Sequence, residues 1–172
     1  MASLIENLIS VLEKECTEYE VLLGLSTEKT PVIVTGDLQA LQRITDEEQL
    51  VVARINHLDK ERAEVMGDIA NVMNKDVDTL KLTNLIEMLK SRPAESAKLA
   101  KVHDRLKTVA GNMQKINERN GELIKHSLEM VEFDMTLLQA MKTAPETANY
   151  NKGAYSAGNV MGVDMGGFDA KS

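Results

Sequence analysis

Histidine, cysteine and carboxylate side chains are the groups in this chain that could bind a metal or act as a nucleophile. The chain has three histidines and one cysteine. None of His57, His103 and His126 follows a glutamate by three residues, so the paired Glu-x-x-His motif of di-iron bundles is missing. Glu122 and His126 are four residues apart, which is typical of a solvated pair on one helical face. Cys16 lies within an apolar stripe, where a buried structural thiol is expected.

Motifs for phosphate binding and hydrolysis are missing as well. The sequence has no P-loop, no glycine-rich dinucleotide turn and no serine nucleophile elbow. The tail segment Met165-Gly166-Gly167 is not followed by a helical pattern that could hold a phosphate at a helix N-terminus. We therefore expect no catalytic residue, no cofactor-binding residue and no metal ligand, and the protein is not expected to be an enzyme.

Composition narrows the classes of partner. The 172 residues carry a net charge of −7, and no cluster of lysine and arginine exists that could release counterions from a nucleic acid. Segment 1–12 contains Glu6 without a preceding basic run, unlike a secretory signal, and no apolar run approaches the length of a membrane span. A single cysteine agrees with a reducing compartment. We expect a cytoplasmic protein that binds no nucleic acid and does not insert into membranes.

The pattern that must position any site is helical. Apolar residues recur every three or four positions through two long segments, a spacing that keeps them on one face of an α-helix packed against other helices. In the last long segment the stripe, which includes a few polar positions, is Leu99, Val102, Leu106, Val109, Met113, Ile116, Asn120, Leu123, Ser127, Met130, Asp134, Leu137 and Met141.

Capping residues and prolines place the helix ends. The first helix is predicted to start after Ser3, which forms a capping box with Glu6, and to run to about Glu28. Pro31 should end it before an extended connection at 32–36. Asp37 should cap a second helix over 38–73. A short helix at 80–89 and a final helix at 94–142 follow. The predicted fold is all-α, an elongated antiparallel bundle of three long helices plus one short helix over 1–143, with a flexible tail at 144–172 rich in glycine and asparagine.

Two charged residues interrupt the apolar stripe of the second helix. Glu48 and Arg62 occupy positions where a bundle would place aliphatic side chains. They could reach solvent or pair with a neighbouring helix and fix its register. The alternative is that they contact a partner.

The second half of the final helix has more apolar surface than a bundle of this size requires. A second row lies beside the first stripe and consists of Ile124, Leu128, Val131, Met135 and Leu138. The tail adds three of the chain's five aromatic residues, Tyr150, Tyr155 and Phe168, which are typical anchors for a segment that orders on a partner. Both features indicate protein binding.

Several short segments follow one another in a specific order and at specific separations. They are Leu4-x3-Leu8 through Glu15 and Tyr19, the loop from Ile33 to Asp37, Ile44-Thr45-x2-Glu48-Gln49, Leu58-x3-Arg62, Leu82-x2-Leu85-Ile86, and Asn117-x2-Asn120-x2-Leu123-Ile124-x2-Ser127-Leu128. Together they resemble the FlgN-like family of flagellar export chaperones over residues 1 to about 140.

The resemblance implies a non-enzymatic cytoplasmic chaperone. It would hold the hook-associated proteins of the hook-filament junction before export by the flagellar type III apparatus, and dock on the cytoplasmic domain of the export gate through Tyr150 or Tyr155. Client capture as a helix-in-groove complex maps to a set of residues in the last helix. The set is Ile116, Asn117, Asn120, Leu123, Ile124, Ser127, Leu128 and Val131.

Two questions stay open at the level of sequence. The free chaperone could cover its apolar row by forming a homodimer or by folding the short Leu80 to Leu89 helix onto it. The alternative function is a structural coiled-coil or scaffold protein that uses the same heptads for self-association. A four-helix metal carrier is disfavoured by the histidine spacing.

Overall fold

A computed structural model describes residues 2–143, and every regular element in that range is helical. This confirms the predicted all-α class. The α-helices are α1 at Ala2–Thr35, α2 at Leu38–Met73, α3 at Leu82–Met88 and α4 at Pro93–Thr143. Two short 3-10 turns lie at Val77–Thr79 and Leu89–Ser91.

The chain divides into two compact units, residues 1–127 and 128–172. The first unit holds α1, α2, α3 and the first part of α4. The described part of the second unit is the helical segment 128–143. The predicted tail at 144–172 lies outside the described residues, and so do Tyr150 and Tyr155.

Helix α1 is longer than its sequence predicts. The expected end near Glu28 is wrong, because α1 continues through Pro31 to Thr35. Proline lacks the N–H that would bond the carbonyl four residues earlier, which normally weakens a helix interior. Here Ile33 is buried, so packing of the last turn compensates for the missing hydrogen bond. The expected extended connection is therefore a final helical turn.

A glycine and an aspartate make the tight link between α1 and α2. Gly36 has a φ of 70°, a left-handed conformation that glycine adopts without strain, and its N–H donates to the Val32 carbonyl at 3.0 Å. Asp37 then caps α2 as predicted, since its Oδ1 accepts from the Ala40 N–H at 3.0 Å. The observed bounds of α2 coincide with the predicted ones.

The starts of the other helices differ slightly from the predictions. α1 already includes Ala2, so Ser3 lies inside the helix and is not its cap. α4 begins at Pro93, a first-turn position where the missing N–H of proline costs nothing. Asp76 caps the 3-10 turn before α3 by accepting from the Asp78 N–H at 3.2 Å.

The largest apolar core joins all four helices of the first unit. It contains Ile5, Leu8, Ile9, Leu12 and Cys16 from α1, Ile69 and Ala70 from α2, Leu80, Leu85 and Leu89 from α3 and its flanks, and Leu99 and Val102 from α4. The three leucines of the short helical region are thus committed to this core.

Side-chain bonds define the direction of packing around α1. Ser26 donates a hydrogen bond to Glu48, and Glu18 accepts one from Arg54 at 2.9 Å. The contact that lies earlier in α1 is therefore made to a later residue of α2. These two helices are antiparallel. Glu20 accepts two hydrogen bonds from Arg105, both at 2.7 Å.

Helix α4 runs in the same direction as α1 within the first unit. Cys16 donates from its Sγ to the Val102 carbonyl at 3.7 Å, and Thr30 bonds Asn120 fourteen residues farther along α1. Residue numbers therefore rise in the same direction along both helices. Within the first unit, α2 is therefore antiparallel to α1, and the first part of α4 is parallel to α1.

Candidate functional site

The titratable groups that could do chemistry are dispersed. Over residues 2–143, no group of three or more histidine, cysteine and carboxylate side chains could hold a metal ion. His57 pairs with Glu61 on its own helix, and His103 contacts the adjacent Asp104. Burial raises the pKa of the Cys16 thiol above its ordinary value, which disfavours the thiolate that a nucleophile requires.

The two charges that interrupt the α2 stripe both pair with α1. Glu48 accepts from Ser26 Oγ at 2.9 Å and forms an ion pair with Lys29. Arg62 donates from Nη1 to Glu15 Oε2 at 3.1 Å. The interpretation that these residues pair with a neighbouring helix is confirmed for both. A contact with another protein is not needed to explain why either charge lies in the apolar stripe.

Glu15 is a buried carboxylate with incomplete hydrogen bonding. Its residue is 1% exposed, and Oε1 has no hydrogen-bond partner. Desolvation raises the pKa of Glu15, the nearby Arg62 guanidinium acts in the opposite direction, and Asp59 adds a smaller increase. Arg62 is recognisable from the sequence as an interruption of the stripe, but its partner is not, because only the alignment of α1 with α2 brings Glu15 opposite Arg62.

Asn120 is buried between α4 and α1. Its Nδ2 donates to the Ser26 carbonyl at 2.8 Å, and its Oδ1 accepts from Thr30 Oγ1 at 2.7 Å. Both ends of the side-chain amide are therefore used within the first unit. A hydrogen bond from the Asn120 side chain to a client would have to replace these two bonds.

The other predicted client residues of the first unit are more accessible. Ile116 and Leu123 are partly buried, whereas Asn117, Ile124 and Ser127 are exposed. Ser127 donates to the Leu123 carbonyl at 2.9 Å, a local bond within the helix. Leu123 and Ile124 are thus not both sealed in the protein core, which keeps the predicted row accessible.

The second unit presents the largest concentration of exposed apolar side chains. Between residues 128 and 143, eight large apolar residues are each 50–68% exposed. They are Leu128, Met130, Val131, Phe133, Met135, Leu137, Leu138 and Met141. We call these eight residues the α4 apolar surface. Such a contiguous exposed surface in a water-exposed helix is typical of a binding site for another protein.

Only two members of the α4 apolar surface were predicted as client residues. Leu128 and Val131 are both exposed, as that role requires. Met130, Leu137 and Met141 continue the stripe that is buried earlier in α4, so the pattern alone assigns them to the core. Phe133 was not identified, although an aromatic residue in a chain with only 3% aromatics was a usable signal.

Comparison with known proteins identifies the family. The model of the FlgN protein family matches residues 1–157. The chain belongs to the FlgN family. This agrees with the resemblance seen in the sequence and makes the chain a flagellar export chaperone in general terms. The match extends beyond residue 140, where the sequence resemblance ended, and includes Tyr150 and Tyr155.

One curated relative of this FlgN-family chain is an uncharacterized protein, YvyG, from Bacillus subtilis strain 168. It is 24% identical over 144 residues, which cover 84% of this chain and 83% of the relative. No solved structure matches the chain. In the described part of the chain, none of the helices has a stretch long and apolar enough to cross a membrane.

Proposed function

We propose that this FlgN-family chain is a cytoplasmic export chaperone that binds hook-associated flagellar proteins through the α4 apolar surface. The observation that carries the proposal is the exposure of eight large apolar side chains within sixteen residues. At about 1.5–3 kcal/mol for each fully buried large side chain, even partial burial against a client would supply substantial binding free energy.

Helix packing on α4 is the proposed mode of capture. A secreted subunit whose terminal helix is exposed before assembly needs an apolar partner to prevent aggregation or premature polymerisation. Segment 128–143 is a single helix, so it offers an apolar surface and no groove of its own. The client would pack along this helix, and the groove would form only between α4 and the client. Met130, Met135 and Met141 have flexible side chains that could fit more than one client.

Contacts in the first unit extend the proposal. Ile116, Asn117, Leu123, Ile124 and Ser127 remain proposed client contacts, and exposure is greatest at Asn117, Ile124 and Ser127. Asn120 remains proposed only in the sense that its two bonds to α1 would be exchanged on binding. The observed pairing of α1 with α2 and with α4 supports an elongated antiparallel bundle as the scaffold.

Delivery to the flagellar type III export gate is the second part of the proposed role. Tyr150 and Tyr155 are proposed to contact the cytoplasmic domain of the gate, and their support is that the FlgN family match includes both. They lie outside the described residues. The proposed division into a bundle at 1–143 and a tail at 144–172 separates client capture from gate docking.

Self-association is the competing function for the same surface. A scaffold protein, or a homodimeric chaperone, would bury the α4 apolar surface against a second copy. Analytical ultracentrifugation separates the two functions. A monomer that forms a complex of defined mass with a hook-associated protein supports the chaperone, and a stable oligomer that ignores the client supports the scaffold.

Substitution of two leucines tests the proposed function. Leu123→Asp combined with Leu128→Asp is expected to abolish binding of purified hook-associated proteins in isothermal titration, because two charges would face an apolar client helix. Far-ultraviolet circular dichroism should show that helicity is largely retained. Loss of helicity would show that these leucines hold the fold together, and unchanged affinity would remove α4 as the client site.

A further inference from the structure

The α4 apolar surface is too wide for one partner helix. Successive residues of an α-helix are about 100° apart around its axis. On this spacing the surface consists of two rows. The first row, as we call it from here on, is Leu128, Val131, Met135 and Leu138. The second row is Met130, Phe133, Leu137 and Met141, and its centre lies about 135° from that of the first. Together they occupy about 220° of the circumference, whereas the stripe that one face buries is about 100° wide.

Both rows are exposed to the same degree. The first row is 53–65% exposed and the second is 50–68% exposed, so neither is covered within residues 2–143. The remaining arc is polar and includes Glu132, Thr136 and Gln139. The segment is therefore an amphipathic helix with two apolar faces and one solvated face.

Carboxylates mark the borders of the two rows. Asp134 lies between the rows, and Glu132 lies on the far side of the first row. Segment 128–143 carries three carboxylates and one lysine, so its net charge is negative; the lysine, Lys142, lies within the arc of the first row in the last turn. A helix that fits either row would have an apolar stripe with lysine or arginine at its border, because opposite charges at the rim guide the register of packed helices.

We propose that the client presents two amphipathic helices with basic borders to α4, one on each row. This rests on the proposed chaperone function and specifies what a client must contain. In the complex, segment 128–143 is the middle helix of three. A client with a single terminal helix would leave half of the surface in water.

Three nearby residues provide a matched test. Leu138 belongs to the first row, Leu137 to the second and Thr136 to the middle of the polar arc. Leu137→Asp and Leu138→Asp are each expected to weaken binding of purified hook-associated proteins at least about ten-fold, since each places a charge in an apolar contact. Thr136→Asp introduces the same new side chain one position before Leu137 but on the solvated face, and should stay within about two-fold. Circular dichroism of the three variants checks that the helix remains.

Each alternative result has a distinct meaning. Loss of binding in Leu138→Asp alone overturns the two-helix proposal and leaves the chaperone function intact, whereas full binding by both leucine variants contradicts client capture at this segment. Without client, a smaller mass of Leu137→Asp than of the wild-type protein in ultracentrifugation would show that a second copy of the chain covers the second row. That result also overturns the proposal. Hydrogen exchange of the client should show two newly protected helical segments, and one protected segment overturns it.

Discussion

At the scale of single residues, the buried polar groups fix how α1 is matched to its neighbours. Glu15 pairs with Arg62 on α2, and Asn120 on α4 bonds α1 at Ser26 and Thr30. Each bond requires one particular alignment of the helices, because a shift by one residue would leave a buried polar group without its partner. Aliphatic contacts alone would tolerate such a shift more readily.

The pair of Glu15 and Arg62 gives a stability prediction. Arg62→Met leaves the buried carboxylate without its cation and should lower the free energy of unfolding by about 2 kcal/mol. Arg54→Met is the matched control, since it breaks a more exposed pair with Glu18 and should cost no more than about 1 kcal/mol. Urea unfolding followed by circular dichroism measures both. Equal losses would mean that burial of Glu15 adds nothing.

The same group predicts a pH dependence. Folding raises the pKa of Glu15 above its ordinary value of 4.5, so the folded chain holds this proton more tightly than the unfolded chain. The stabilisation is present in full below that ordinary value and is lost as pH rises through the raised pKa. Glu15→Gln does not titrate, so its stability relative to the wild-type protein should increase as pH rises across this window. A constant difference would contradict the assignment.

At the scale of elements, sequence predicts helix ends where a capping residue acts locally. Asp37 gave the start of α2 correctly because its bond to the Ala40 N–H involves neighbours in sequence. The end of α1 was misjudged because Pro31 is a local helix breaker, while the burial of Ile33 depends on a distant contact. The partners of Glu48 and Arg62 could not be predicted from the sequence either, because they depend on how α1 and α2 are aligned.

The extension of α1 through Pro31 is testable. Pro31 is exposed, so Pro31→Ala restores a backbone hydrogen bond to the Thr27 carbonyl without loss of packing. The variant is expected to raise the free energy of unfolding by about 1 kcal/mol, a fraction of the usual penalty of proline inside a helix. Pro93→Ala is a suitable control, because proline is tolerated in the first turn. A destabilised Pro31→Ala variant would mean that the proline shapes a turn that alanine cannot.

At the scale of the whole molecule, the two units differ in how much of their surface is buried. The first unit contains the apolar core that joins all four helices, and the described part of the second unit is exposed throughout. Sequence periodicity predicted one surplus apolar row, including Leu128 and Val131. It placed Met130, Leu137 and Met141 in the buried stripe, because that stripe is core earlier in α4 and the pattern does not show where the helices that cover it end.

Hydrogen exchange of the chaperone with and without a purified hook-associated protein measures whether a client covers the α4 apolar surface. We expect the backbone amides of residues 128–143 to exchange more slowly in the complex, because the client covers the α4 apolar surface and suppresses opening of this helix. Unchanged exchange in that segment, with protection confined to residues 2–127, would contradict the account and place client binding elsewhere.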